Sequence, residues 1–183
     1  MRINKYLALN LNKSRRETDK LIEKKLIKIN GIEATLGQLV DENDVLTYKN
    51  EVIKPITKHI YYKFYKPKNY TSSRTSQGNS KTMYELIKNK NLKYSGRLDK
   101  DSEGLMLLST DGDWLNNNSH PSKNIIKKYI VTTDTEDINL KIFKNSINDN
   151  KEKLMLFSIN KIANYEYAVT LKTGKNREIR RIF

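Results

Sequence analysis

The sequence holds no cysteine, three prolines, seven glycines and two histidines, His59 and His120. Without thiols and with so few imidazoles, disulfide frameworks, zinc and iron–sulfur centres and thiol nucleophiles lack their ligands. The few glycines leave no glycine-rich phosphate loop, which argues against a nucleotide-dependent enzyme or a methyltransferase. No apolar run approaches the roughly 18 residues of a membrane-spanning helix, and the N-terminus carries no secretory apolar core. Any catalysis therefore rests on carboxylates, Lys, Arg, Tyr or hydroxyls.

What is present is positive charge: 35 Lys and Arg oppose 21 Asp and Glu, a net +14 over 183 residues. Such an excess points to a polyanionic partner. A chain of this length forms one domain or two small ones and buries about two-thirds of its unfolded surface, so it is no disordered basic tail. Abundant Lys, Asn and Ile fit an A/T-rich coding sequence, which makes the position of a charge more informative than the total. The basic residues are densest at the start, where residues 1–28 hold nine of them against three acids.

Ile3, Leu7 and Leu11 recur at helical spacing. Ser14-Arg15-Arg16-Glu17 has the capping-box form, with Thr18, Leu21 and Ile22 as the apolar stripe of a second helix ending near Lys25. Leu26 to Ile29 alternates as a strand, Asn30-Gly31 signals a hairpin, and Asp44 to Lys49 offers another strand. The result is an α-α-β unit over residues 1–50. Arg15 and Arg16 stand in a first helical turn, where the helix dipole disfavours cations, so an external phosphate would compensate them.

Residues 51–60 read as a linker and 61–183 as a second, α+β domain with a mainly antiparallel sheet. Tyr61 to Tyr65 is an aromatic strand stopping at Pro67, with Tyr and Phe on a buried face favoured over base stacking. Thr71 to Ser80 predicts a mobile polar loop. Lys81 to Lys90 predicts a helix burying Met83, Leu86 and Ile87, and strands are expected at Lys128–Thr132, Leu154–Ile159 and Tyr165–Leu171.

Two segments could carry chemistry. Gly96 to Gly112 is a charged loop feeding an apolar strand that ends in an Asp-Gly turn, with Asp99, Asp101 and Glu103 close together. On chemistry alone this is a Mg2+ site, a salt-bridged surface loop or a lone nucleophilic carboxylate. Gly174 to Phe183 places Arg177, Arg180 and Arg181 on neighbouring helical positions, fit to grip phosphates or a carboxylate, or simply to end a helix.

The ordered set Gly96-Arg97-Leu98-Asp99, Leu105 to Leu108 with Asp111-Gly112, Lys128-Tyr129-Ile130-Val131 and Gly174 to Phe183 resembles the bacterial ribosomal-RNA pseudouridine synthases of the RsuA/RluB/RluF type. Arg2 to Leu7, the Ser14-Arg15-Arg16 helix start and Ile29-Asn30-Gly31 resemble that family's leading RNA-binding domain, of the S-four type. The resemblance runs the length of the chain. It implies that Asp99 is the essential carboxylate attacking a flipped uridine, and that Tyr129 lies against the base and is a candidate to take the C5 proton. Arg180 would pair with Asp99, with Ile179 lining the pocket. Arg97, Arg177 and Lys128 would hold substrate, and Arg2, Lys5, Arg15, Arg16 and Lys20 would contact RNA. It implies no metal and no organic cofactor, a ribosomal RNA or pre-ribosomal partner, no membrane, a monomer and a cytoplasmic location.

Three departures accompany it. The family's catalytic domain continues for some tens of residues beyond the closing arginine motif, so a catalytic domain shortened at its C-terminus is expected. Asn69 stands where the family's Lys-Pro turn has glycine, and residues 144–153 lack glycines. The leading reading is an enzyme isomerising a specific rRNA uridine. The alternative is a catalytically impaired RNA-binding or ribosome-assembly protein retaining the fold.

Overall fold

The computed structural model describes residues 1–76 and 78–183, and every side chain among them except that of Lys144. Gln77, inside the polar loop from Thr71 to Ser80, lies outside the described residues. The architecture is α+β, with antiparallel pairing in each strand pair below.

The first unit opens with α1 (Ile3–Asn10), which buries Ile3 and Leu7 one turn apart, and α2 (Arg15–Glu23). The capping box is formed: Ser14 Oγ accepts from the Glu17 N–H at 3.2 Å and Glu17 Oε2 from the Ser14 N–H at 2.6 Å. β1 (Ile27–Ile29) turns into β2 (Ile32–Glu33) at Asn30 and Gly31, both at positive φ as this tight turn demands. β3 (Leu46–Tyr48) is followed by β4 (Glu51–Val52), and the sheet order is β2-β1-β3-β4. Ile53 is buried in the same core as Ile3, Ile22 and Leu46. The segment expected as a linker from residue 51 thus begins inside this sheet, because Lys49 and Asn50 take positive φ and fold a second hairpin.

The middle of the chain packs β5 (Tyr61–Lys66), β6 (Lys93–Ser95) and β7 (Gly104–Ser109) in the order β5-β7-β6 over Met83, Tyr84, Ile87, Leu92, Met106 and Leu108. Tyr61, Tyr62 and Tyr65 are exposed, against the expected buried aromatic face; Phe64 is half-buried and Lys66 is the side chain that goes inside. The helix expected over Lys81–Lys90 shrinks to a single 3-10 turn, Met83–Glu85. That turn already places Met83 and Tyr84 in the core and leaves Leu86 exposed, and the Asn89 side chain accepts from the Asn91 N–H, a local bond that competes with helix. The Asp-Gly turn after β7 starts a helix instead: α3 (Gly112–Asn117) is capped by Asp111, whose side chain accepts from the N–H groups of Asp113 and Trp114.

In the last third, β8 (Lys127–Thr132) and β11 (Ser158–Ala163) flank β12 (Glu166–Leu171). The expected Leu154–Ile159 strand is broken in two. β10 (Glu152–Leu154) pairs with β9 (Ile147–Asp149) through a turn at Asn150 and Lys151, and the chain enters the larger sheet only at Ser158. α4 (Glu178–Ile182) tucks Ile182 into the core of Leu154, Tyr167, Val169 and Leu171. The first unit touches the rest through a Lys5–Asp113 ion pair at 2.6 Å and through the Ile56 N–H, which donates to Asn10 Oδ1.

Candidate active site

Asp99 sits on the loop between β6 and β7, and that loop is braced from three sides. Lys66, at the end of β5, is fully buried and its ammonium donates to the carbonyls of Ser102 at 2.6 Å and Pro67 at 3.0 Å. Burial pushes this ammonium's pKa down, against the opposing pull of the Asp101, Asp99 and Glu103 carboxylates. The Asn69 N–H donates to the Lys100 carbonyl at 2.8 Å, and Asn69 adopts φ +70°, a conformation asparagine tolerates next best to glycine. The Ser72 hydroxyl donates to the Leu98 carbonyl and accepts from the Leu98 N–H, at 2.7 and 3.0 Å. The polar loop expected to be mobile is therefore anchored at its start, since Arg74 also donates to the Leu92 carbonyl and lies over the Tyr84 ring.

α4 faces this loop. Arg180 Nε lies 3.7 Å and Arg177 Nη1 4.0 Å from Asp99 Oδ2, and Arg180 Nη2 donates to Ser102 Oγ at 3.4 Å. Arg177 is not a helical neighbour of the other two: it is the N-cap residue, at φ +48°. The turn before it is held by Glu178, buried, whose carboxylate accepts from Thr173 Oγ1 and the Lys175 N–H at 2.6 and 2.9 Å. Arg181 leaves the cluster altogether and clamps the β9–β10 hairpin, with Asp149 and Glu152 each at 2.5 Å. The three arginines thus divide two to one, because successive helical side chains diverge by about 100°.

Tyr129 and Ile179 are half-buried against the last core. Burial raises the Tyr129 phenol, and the nearby Glu178 and Asp99 carboxylates push it further in the same direction. Lys128 lies on the opposite, exposed face of β8 from Tyr129, as strand alternation requires. Arg97 is exposed and makes no ion pair or hydrogen bond among the described residues. Of the other two acids, Glu103 faces Lys68 at 3.9 Å and the Tyr65 hydroxyl. Among the described residues no group of three His, Cys, Asp or Glu side chains is placed to hold a metal ion.

On the first unit, Arg2, Arg15, Arg16 and Lys20 are exposed, whereas Lys5 is committed to Asp113. The residues that brace the Asp99 loop, Lys66 and Ser72, were not singled out from sequence. Lys66 had a signal: period two from the half-buried Phe64 puts it on the inward face. Ser72, in a run of serines and threonines, had none.

A family model described as RNA pseudouridylate synthase matches residues 60–183, and one described as S4 domain matches residues 1–46. The chain is 35% identical to an uncharacterized RNA pseudouridine synthase of Borreliella burgdorferi, covering 100% of this chain and 77% of that protein. It is 30% identical to the dual-specificity RNA pseudouridine synthase RluF of Escherichia coli, covering 100% of this chain and 64% of the relative. A solved structure described as a pseudouridylate synthase superposes with a TM-score of 0.65 at 23% identity, covering 100% of this chain and 82% of that one. Among the described residues no helix is long and apolar enough to cross a membrane.

Proposed function

The chain belongs to the RNA pseudouridylate synthase family, and from that premise we propose that it isomerises a uridine of ribosomal RNA, acting as a cytoplasmic monomer with Asp99 as the reacting carboxylate. The observation that carries this reading is the approach of the Arg180 guanidinium to 3.7 Å from Asp99 on a loop held by Lys66, Asn69 and Ser72.

The reaction conserves every atom of the nucleotide. Asp99 attacks the uridine, or takes a ribose proton to form a glycal, and the N1–C1′ bond breaks with its electron pair passing to uracil. The uracil turns within the site and C5 bonds to C1′ as the Asp99–C1′ bond breaks, or, on the glycal route, as Asp99 returns the proton to the ribose; the proton on C5 then departs and N1 regains one. This needs a single carboxylate and positive charge beside it while uracil is detached, which Arg180 and Arg177 supply. A base stacked in an RNA helix must first be flipped out, and an aromatic wall repays part of the unstacking. Tyr129 is that wall. Its raised phenol keeps its proton at neutral pH, which favours packing against the base over abstracting a proton.

The test is Asp99→Asn, expected to lower pseudouridine formation by about a thousandfold or more while rRNA affinity stays within about twofold. Base-specific chemical labelling with primer extension reads the product, and retained turnover overturns the assignment. Arg180→Ala is expected to depress turnover more than binding; equal losses make it a phosphate contact. Mapping pseudouridines in total rRNA with and without the gene identifies the target and separates an enzyme from a fold-retaining binding protein.

A further inference from the structure

A cleft of about 750 Å³ opens between the first unit and the β5-β7-β6 sheet, sharing no lining residue with the Asp99 loop and lined by cations of both units. Lys13 and Arg15 come from the start of α2, and Arg74 and Lys93 from across the cleft. Three acids also line it, and each is already engaged. Glu17 accepts from the Ser14 N–H, Asp113 pairs with Lys5, and Asp111 caps α3 and accepts from the Tyr61 hydroxyl. Lys13, Arg15 and Lys93 make no side-chain ion pair or hydrogen bond among the described residues. Lys93 Nζ reaches over Gly112, 4.0 Å from where a Cβ would stand, an ordinary contact distance. Arg74 uses one guanidinium nitrogen on the Leu92 carbonyl and lies over Tyr84.

The electrostatics agree with the geometry. Burial lowers the pKa of Lys93, and the neighbouring Arg74 and Arg15 lower it further, more than Asp111 and Asp113 restore. Cations that depress one another in a cleft favour an added anion. For an RNA pseudouridine synthase, the anion brought to the protein with every substrate is the phosphodiester backbone.

Resting on that reading of the activity, we propose that this cleft is an RNA-backbone subsite in which Arg15 from one unit and Arg74 and Lys93 from the other grip one phosphate remote from the reacting uridine. Contacts of this kind set register and carry no sequence information. Arg74 stands two residues from Ser72, so the segment that holds this phosphate is the one that braces the Asp99 loop.

Binding of purified ribosomal RNA, measured by filter retention across a range of KCl concentrations, tests the subsite with Lys93→Gln, Arg15→Gln, their double variant and the charge-preserving Lys93→Arg. Each neutral variant is expected to bind about fivefold more weakly at physiological salt, with a log–log salt slope shallower by roughly one unit. The double variant should lose less than the product of the single losses, since both groups hold one phosphate. Lys93→Arg should keep the slope, which separates lost charge from disturbed packing. An unchanged slope for Lys93→Gln overturns the subsite, while wild-type pseudouridine formation then leaves the activity standing; a wild type that neither binds nor modifies rRNA overturns both. In a second arm, inorganic phosphate is titrated against the emission of Trp114, the single tryptophan, carried on α3 beside the cleft. A response at about millimolar phosphate, lost in Lys93→Gln while RNA binding is unaltered, assigns the site to a free anion and overturns the RNA assignment.

Discussion

Lys66 shows how much of this site depends on a residue whose polar bonds all go to backbone carbonyls. A fully buried ammonium is costly unless its protons are satisfied, and here they are satisfied by carbonyls of the loop that presents Asp99. Lys66→Met keeps the stem and removes the donors, so it should destabilise the protein by about 2–4 kcal/mol and reduce turnover even in the folded fraction. Denaturant unfolding read alongside kcat checks both; full activity in Lys66→Met would mean the loop needs no such brace. Tyr129 gives a second prediction. If the ring is a wall, Tyr129→Phe should retain turnover within about tenfold, whereas a general base would cost about a hundredfold or more. Single-turnover pseudouridine formation distinguishes the two. The legible residues were those in contiguous motifs, Asp99 and Arg180 foremost, which the structure brings to 3.7 Å. Ser72 was illegible because a hydroxyl gripping a backbone 26 residues away has no local pattern, whereas the placing of Lys128 and Tyr129 on opposite faces of their strand follows from alternation alone.

Among the elements, α2 was the most readable, since its start is written in side chains that satisfy its own N–H groups. Ser14→Ala removes one of these bonds and should cost about 1 kcal/mol. The Glu17 carboxylate is held below its ordinary pKa by the Ser14 side chain and then the Ser14 backbone. A depressed folded-state value means the contribution is present above the usual glutamate range and fades as pH falls through the lower one. Unfolding midpoints compared at neutral and acidic pH should therefore show the Ser14→Ala deficit shrinking in acid; a deficit constant with pH would show that Glu17 does not share in the cap. The helix expected at Lys81–Lys90 failed for the opposite reason. Its apolar spacing was real, but Met83 and Tyr84 reach the core from one 3-10 turn, Ile87 follows beyond it, and asparagines then bond locally. α3 was overlooked because Asp-Gly reads equally as a turn or as an N-cap followed by a flexible first residue. The division of the arginine cluster was likewise hidden, since it depends on where α4 begins.

Across the whole molecule, charge is sorted by what it is already holding. The surplus cations of the first unit, Arg2, Arg15, Arg16 and Lys20, stay exposed, while Lys5, expected beside them as an RNA contact, is spent on Asp113 across the boundary between the units. The net +14 could be read from composition, but which lysine is occupied could not, because its partner lies more than a hundred residues away on a helix that was not foreseen. A partly exposed ion pair contributes little to stability, about 1 kcal/mol or less, since solvent screens it and two long side chains lose freedom. Asp113→Asn should therefore leave the unfolding midpoint nearly unchanged. It also removes the countercharge from a lysine at the edge of a cationic cleft, so rRNA binding should tighten and its log–log salt slope steepen by up to about one unit as Lys5 takes a phosphate. Lys5→Ala combined with Asp113→Asn should return the slope to the wild-type value. If Asp113→Asn leaves the slope where it was, Lys5 lies off the path of the strand, and its bond to Asp113 serves only to set the two units against each other.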